Sequence, residues 1–197
     1  MKKLLTAVAA AALFATAANA ATDGTLSDST STGTFDINAT VVPMVSIRGL
    51  DDLSMTINAA TLASNFGHTD ARTQFCVFSN ADALGSYKVS VNGPAGTAGD
   101  YANPYALSGT TTHNNLDFTV GYWDNATYNS VGATFMRPGV QHAMENTRNG
   151  QTRATDLNCS NTGGSNASIN VGIRNAVALA ALADTYTGTL SVVVSVP

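Results

Sequence analysis

Strict alternation of apolar and polar residues marks two segments, one near each end of the chain. In residues 184–197, one face carries Tyr186, Leu190, Val192, Val194 and Val196. In residues 34–41, one face carries Phe35, Ile37, Ala39 and Val41. A period of two combined with β-branched residues predicts half-buried β-strands.

Shorter runs of the same pattern lie between these two segments and are separated by Gly, Asn and Asp residues. They predict strands at 74–79, 87–91, 116–122 and 169–173. In residues 74–79 we expect Cys76 and Phe78 to share one face. Residues 176–183 are the only helical pattern expected outside the first 20 residues, and 132–151 is interpreted as a long polar connection. Many short strands joined by turns are typical of an all-β sandwich.

The first 20 residues have the pattern of a secretory signal peptide. Lys2 and Lys3 precede an apolar run, and Ala18-Asn-Ala20 is a small-residue cleavage site. The run is too short and too rich in alanine for a good membrane span. We therefore expect removal after Ala20 and bacterial export, with an uncleaved anchor as the alternative.

The organisation expected after the signal peptide is a single domain with a projecting N-terminal segment. Residues 21–33 are rich in Thr, Ser, Asp and Gly and are interpreted as a flexible leader. Residues 34–42 are the projecting strand. Pro43 is tolerated at a strand edge but not in a central ladder, so it marks the start of the domain at 43–197.

The charge balance argues against two classes of partner. Removal of Lys2 and Lys3 leaves 7 of the 9 basic residues against 13 acidic ones. A net negative chain does not favour nucleic acid or an anionic membrane surface.

The chain contains two cysteines, Cys76 and Cys159. An exported protein with an even count is expected to form a disulfide, and two free thiols are the alternative. A zinc site is not expected, because no histidine stands at ligand spacing from either cysteine.

No catalytic, metal-binding or cofactor-binding motif is found in the sequence. His68, His113 and His142 lie in separate polar segments and are interpreted as solvated loop residues. Asp51 and Asp52 form an acidic pair in a turn without the register of a calcium loop. No serine has a Gly-x-Ser-x-Gly context, and no phosphate-binding loop opens a helix. We therefore expect no cofactor, and an exported hydrolase is a remote alternative.

A group of aromatic residues supports a second hypothesis. It is a secreted, self-contained sandwich that binds glycans through aromatic loops, and its residues would be Tyr101, Tyr105, Tyr122, Trp123 and Tyr128. The competing interpretation is that these residues form a core face with scattered surface contacts.

The order of these features resembles pilin subunits of the chaperone–usher pathway. The resemblance rests on residues 34–43, 75–80, 87–91, 159–166 and 184–194 and covers nearly the whole exported chain. The stretch Ala39-Thr-Val-Val-Pro43 is most similar to the archaic and alternative branches, including spore-coat-U-like subunits. Many relatives have a cysteine just after this proline, where this chain has Met44 and Val45. On this resemblance the bridge uses Cys76 and Cys159.

The resemblance implies an immunoglobulin-like sandwich that lacks its final strand. It implies that Phe35, Ile37, Ala39 and Val41 are donor residues, and that the terminal strand, with Tyr186, Leu190, Val192, Val194 and Val196, borders the acceptor groove. The implied partners are a periplasmic chaperone, an outer-membrane usher and further copies of the chain. The implied destination is a fimbrium on the cell surface.

Overall fold

The computed structural model describes residues 22–64, 67–96, 104–126, 133–148 and 151–197. The predicted signal peptide at 1–20 lies outside these residues. The chain divides into two units between Val41 and Val42.

In the unit that begins at Val42, the described residues form strands of 2 to 12 residues, two α-helices of 6 residues each and a 3-10 turn at Ser160–Thr162. The strands are β1 (Val45–Arg48), β2 (His68–Ser79), β3 (Ser86–Asn92), β4 (Tyr105–Gly109), β5 (Asn115–Trp123), β6 (Thr134–Met136), β7 (His142–Glu145), β8 (Ala167–Arg174), β9 (Tyr186–Thr187) and β10 (Ser191–Ser195). The helices are α1 (Ala59–Ser64) and α2 (Asn175–Ala180).

Within the described residues, the strands form two antiparallel sheets. The larger sheet has the order β1-β2-β8-β5-β4-β9, and β6 also pairs with β5. The smaller sheet has the order β10-β3-β7. The longest ladder joins β2 to β8, from His68 opposite Arg174 to Phe75 opposite Ala167. The all-β, immunoglobulin-like sandwich predicted from the sequence is therefore confirmed.

The core lies between the two sheets. Its buried side chains come from β2, β3, β4, β5, β6, β7 and β8: Phe75, Val77, Tyr87, Val89, Val91, Tyr105, Leu116, Phe118, Val120, Tyr122, Met136, Met144, Ala167, Ile169, Val171 and Ile173. Two phenols close the core across the sheets, since the hydroxyl oxygens of Tyr87 and Tyr122 are 2.8 Å apart. Both hydroxyls are buried, so each satisfies the other where water has no access.

A side-chain amide extends the ladder of β2 beyond the end of β8. The Val77 N–H donates to Asn166 Oδ1 at 2.8 Å, and Asn166 Nδ2 donates back to the Val77 carbonyl at 2.8 Å. Asn146 Nδ2 donates to the same carbonyl at 3.1 Å. Asn146 and Asn166 are fully buried. Their amides satisfy the backbone N–H and C=O of Val77 on the edge of β2 that faces β8, where the ladder with β8 has ended at Phe75.

The predicted Cys76–Cys159 disulfide is confirmed. The two residues are 83 positions apart in sequence and are covalently linked, with Cα atoms 5.6 Å apart. They pack with Ala154 and half-buried Phe78 in a small second apolar cluster. The bridge joins β2 to the loop before β8, so both faces of β2 near Cys76 are buried.

Several expectations about secondary structure were wrong. Residues 132–151 are not simply a polar connection, because β6 and β7 lie there and bury Met136 and Met144. Strand β2 begins at His68, well before residue 74. A helix outside 176–183 also exists, α1, which Asn58 caps by accepting the Thr61 N–H at 3.0 Å on its Oδ1.

The unit before Val42 is described from residue 22. Thr22 and Thr34 form an isolated antiparallel bridge, and each N–H donates to the other residue's carbonyl at 2.9 Å. The residues from Phe35 to Val41 have no regular secondary structure and are exposed. The leader at 21–33 and the donor strand at 34–42 stay predictions.

Candidate strand-acceptor seam

Strand β10 has a hydrogen-bonded neighbour on one edge only. It pairs with β3, with Val192 opposite Val91 and Val194 opposite Val89. No strand of the described residues pairs with its other edge. A row of backbone N–H and C=O groups at such an edge is a template for another strand.

The side chains of this edge alternate in burial. Leu190, Val192 and Val194 are half-buried and pack against the core, whereas Ser191 and Val193 are exposed. The alternation predicted from the sequence is therefore present in β10.

The structure divides the predicted terminal strand into two. Tyr186 lies in β9, which pairs with β4 in the larger sheet, Tyr186 being opposite Gly109. Val196 lies beyond β10 and is exposed. Only Leu190, Val192 and Val194 therefore line the open edge of β10 with inward side chains, while Tyr186 packs against the core from the other sheet.

A second segment with unpaired backbone follows β1. Residues 53–57 alternate as β10 does: Leu53, Met55 and Ile57 are half-buried against the core, and Ser54 and Thr56 are exposed. Their backbone belongs to no ladder and has no hydrogen bond to another described residue. The alternating run Leu-Ser-Met-Thr-Ile is the sequence signal that predicts a strand-like segment here, and it was missed in the sequence analysis above.

The two elements are related through β1. β1, which leads into residues 53–57, lies at the edge of the larger sheet, and some of its Cα atoms come within 8 Å of Cα atoms of β10. We call β10 with Leu190, together with residues 53–57, the open seam. Its apolar side chains are half-buried because they have core on one side only.

The predicted donor residues are apolar and exposed. Phe35, Ile37 and Val41 have relative exposures of 73%, 80% and 78%, and Ala39 is exposed as well. Exposed apolar side chains at alternate positions of one segment are what an unpaired strand would present.

The titratable groups with strongly perturbed pKa values lie in the core between the two sheets and at turns. Burial raises the pKa of Tyr87 and of Tyr122 well above the ordinary value. Burial also raises the pKa of Asp124, against the opposing effect of Arg148, whose Nε lies 3.0 Å from Asp124 Oδ2. This pair ties the end of β5 to the chain after β7.

The remaining candidate residues do not form a chemical site. His113 lies in an exposed turn, and His68 begins β2. His142 was interpreted as a solvated loop residue, which was wrong, because it begins β7 and its Nε2 is shielded from solvent. Asp51 and Asp52 are exposed, and the Asp51 N–H donates to Thr73 Oγ1 at 3.2 Å. No group of three metal-ligating side chains is found among the described residues.

The aromatic residues offered for glycan binding do not form an exposed platform. Tyr105, Tyr122 and Trp123 are buried, at 0%, 0% and 5% exposure. Tyr105 stacks on Phe118 with ring centroids 5.4 Å apart. Tyr101 and Tyr128 lie outside the described residues.

Comparison with known proteins gives distant structural similarity only. No protein-family model matches the sequence, and no curated protein is similar to it.

No helix in the described part of the chain has the length and hydrophobicity to span a bilayer.

The solved structures that are similar in fold include the following two. One is a chaperone–tip adhesin complex of CFA/I fimbriae, with 9% identity, 78% of this chain covered and a TM-score of 0.47. The other is the CsuC–CsuE chaperone–tip subunit pre-assembly complex from archaic chaperone–usher Csu pili of Acinetobacter baumannii, with 13% identity, 79% of this chain covered and a TM-score of 0.39. This chain spans about two fifths of each matched chain, 41% and 40%. Similarity at this level carries no argument about the seam.

Proposed function

We propose that this protein is a structural pilus subunit that polymerises by donor-strand exchange, and that it is not an enzyme. The observation that carries the proposal is the open seam, where an unpaired strand edge and a segment with unpaired backbone each pack half-buried apolar side chains against the same core. Backbone groups and apolar side chains left open together make an edge prone to aggregation in a free monomer. Addition of a strand from another molecule satisfies both at once.

The donor in the assembled fibre is residues 34–42 of the next copy. Phe35 to Val41 spans six residue steps, or about 20 Å of extended chain at about 3.3 Å per residue. Leu190 to Val194, the inward-facing part of the open edge, spans four steps, so the donor segment is long enough to cover it. The four apolar donor side chains enter the seam, while Asp36, Asn38 and Thr40 face outward.

Before assembly, a strand of a periplasmic chaperone occupies the seam, and an outer-membrane usher carries the subunit to the surface. The predicted signal peptide at 1–20 would direct export, and the proposed fibre on the cell surface supports adhesion or biofilm formation. The subunit needs no cofactor for this role.

A pair of adjacent substitutions in the donor segment tests the proposal. Ile37→Asp should abolish fibres, because burial of isoleucine contributes roughly 1.5 to 3 kcal/mol and an unpaired buried carboxylate costs several kcal/mol more. Asn38→Asp adds the same charge on the outward face and should leave fibres intact. Fibres are counted by electron microscopy on cells that produce each variant.

Thermal unfolding of each variant bound to its chaperone is the control. The two variants should unfold at nearly the same temperature, because the segment is exposed until it is donated. Equal fibre yields from both variants would refute donor-strand exchange, as would unfolding of the Ile37→Asp subunit itself.

A further inference from the structure

Four methionines lie in the described residues, and they differ in accessibility. Met136 and Met144 are buried in the core at 1% and 2% exposure. Met44 is 48% exposed in the chain before β1. Met55 is half-buried, at the centre of the alternating segment 53–57 of the open seam.

Oxidation of the side chain to a polar sulfoxide should affect strand uptake more at Met55 than at Met44. Its side chain packs against the core, as those of Leu53 and Ile57 do. In the function proposed above, the donor strand covers this segment. Methionine sulfoxide is polar, so it would place an oxygen acceptor in this apolar row. Burial of a polar group without a hydrogen-bond partner is unfavourable.

We propose that Met55 is an oxidation site through which peroxides block strand uptake by the open seam. The sulfur lone pair attacks one peroxide oxygen, the O–O bond breaks, and the sulfur is oxidised by two electrons to the sulfoxide while the peroxide is reduced to water. Subunits whose seam is unfilled are sensitive, and assembled subunits are protected because the donor strand covers Met55. The inference rests on the function proposed above.

The test uses the intact mature chain, hydrogen peroxide and a labelled peptide of residues 33–42. After treatment, peptide mapping by mass spectrometry should find oxygen added at Met44 and Met55 but not at Met136 or Met144. Peptide capture should fall by about tenfold or more, as expected when a polar atom is buried without a partner. Prior saturation with the peptide should protect Met55 and leave Met44 reactive.

Two variants show which methionine is responsible for the loss of peptide capture after peroxide treatment. Met55→Leu should capture the peptide before and after peroxide alike, since leucine conserves volume and has no sulfur. Met44→Leu should lose capture after peroxide as the unsubstituted chain does. Oxidation at Met55 without loss of capture, or equal oxidation of the buried methionines, would overturn the inference. Failure of the untreated chain to capture the peptide, even when the peptide is in large excess over the chain's own residues 34–42, would instead overturn the donor-strand function itself.

Discussion

Val89 and Val91 in β3 are completely buried, whereas Val192 and Val194, which lie opposite Val91 and Val89 in β10, are only half-buried. The four residues are of one type, in one sheet, with their side chains toward one core. They differ in what lies beside them. β3 has a strand on both sides, β7 and β10, and β10 has a strand on one side only.

The difference shows that alternation in a sequence encodes the direction of a side chain but not the number of its neighbours. In the closed half, around β3, β5 and β8, the chain supplies both flanking strands. In the open seam it supplies one flank of a gap and the unpaired segment 53–57. The closed half is therefore expected to determine stability, and the open seam to determine association.

Removal of the Cys76–Cys159 bridge should be the largest perturbation of the closed half. The bridge spans 83 positions, and the chain-entropy model gives about 4 to 5 kcal/mol for a loop of this size. The double variant Cys76→Ala/Cys159→Ala should lose about this much free energy of unfolding in urea titration. A loss below about 1 kcal/mol would show that the closed half does not depend on the bridge.

A matched pair of core truncations compares the two regions directly. Phe118→Ala in β5 should lower the free energy of unfolding by about 3 to 5 kcal/mol, because Phe118 is buried and stacks on Tyr105. Val192→Ala in the seam should cost about 1 kcal/mol, because its side chain is already partly in water. Chemical denaturation measures both. Equal losses would show that β10 is as well covered as β5.

The next largest loss of unfolding free energy is expected when the amide network of Asn166 and Val77 beside β2 is broken. Asn166→Ala removes the Oδ1 atom that accepts the Val77 N–H, and a buried donor without a partner costs about 1 to 3 kcal/mol. Asn170→Ala is the control, since Asn170 lies in β8 with a half-buried side chain on the outer face. It should change the free energy of unfolding by less than about 0.5 kcal/mol. Equal free energies of unfolding for Asn166→Ala and Asn170→Ala would show that the amide network does not stabilise the fold.

The smallest effect is expected at Asp184, between α2 and β9. Hydrogen bonds from the Thr112 N–H and hydroxyl, and from the Thr111 N–H, hold the pKa of this carboxyl well below its usual range. Because the folded pKa is depressed, the stabilisation is present above the unfolded pKa of about 3.9 and is lost as the pH falls below it. Melting temperatures from pH 5 to pH 2 should fall less steeply for Asp184→Asn than for the unsubstituted chain. Parallel curves would contradict this assignment.

The sequence predicted three core strands nearly in full but only the second half of β2, at 74–79. Residues 87–91, 116–122 and 169–173 follow a period of two and form β3, β5 and β8. In β2, however, Phe75 and Val77 point into the core while Cys76 and Phe78 join the disulfide cluster, so alternation gives no single inward face. The helix α1 was missed because six residues are too few for a helical period.

Part of the candidate site was also predictable. The inward parity of Leu190, Val192 and Val194 follows from the sequence alone. The break between β9 and β10 does not, because Tyr186 is held in the larger sheet by its pairing with Gly109, a contact between distant parts of the chain. The role of Asn166 was not predictable from the sequence either, because it depends on where β8 begins relative to Val77 of β2.

The ladder between β2 and β8 also bears on how fast the chain can fold. Its partners, such as His68 and Arg174, are separated by about a hundred residues, and so are Ser191 of β10 and Asn92 of β3. Ordering a chain through such distant pairs requires closure of large loops before the pairs contribute, and folding of this kind is slow. During that time the apolar strands remain without neighbours and can pair with other chains. A partner that caps a strand edge therefore has its greatest effect on this protein during folding, before the native state forms.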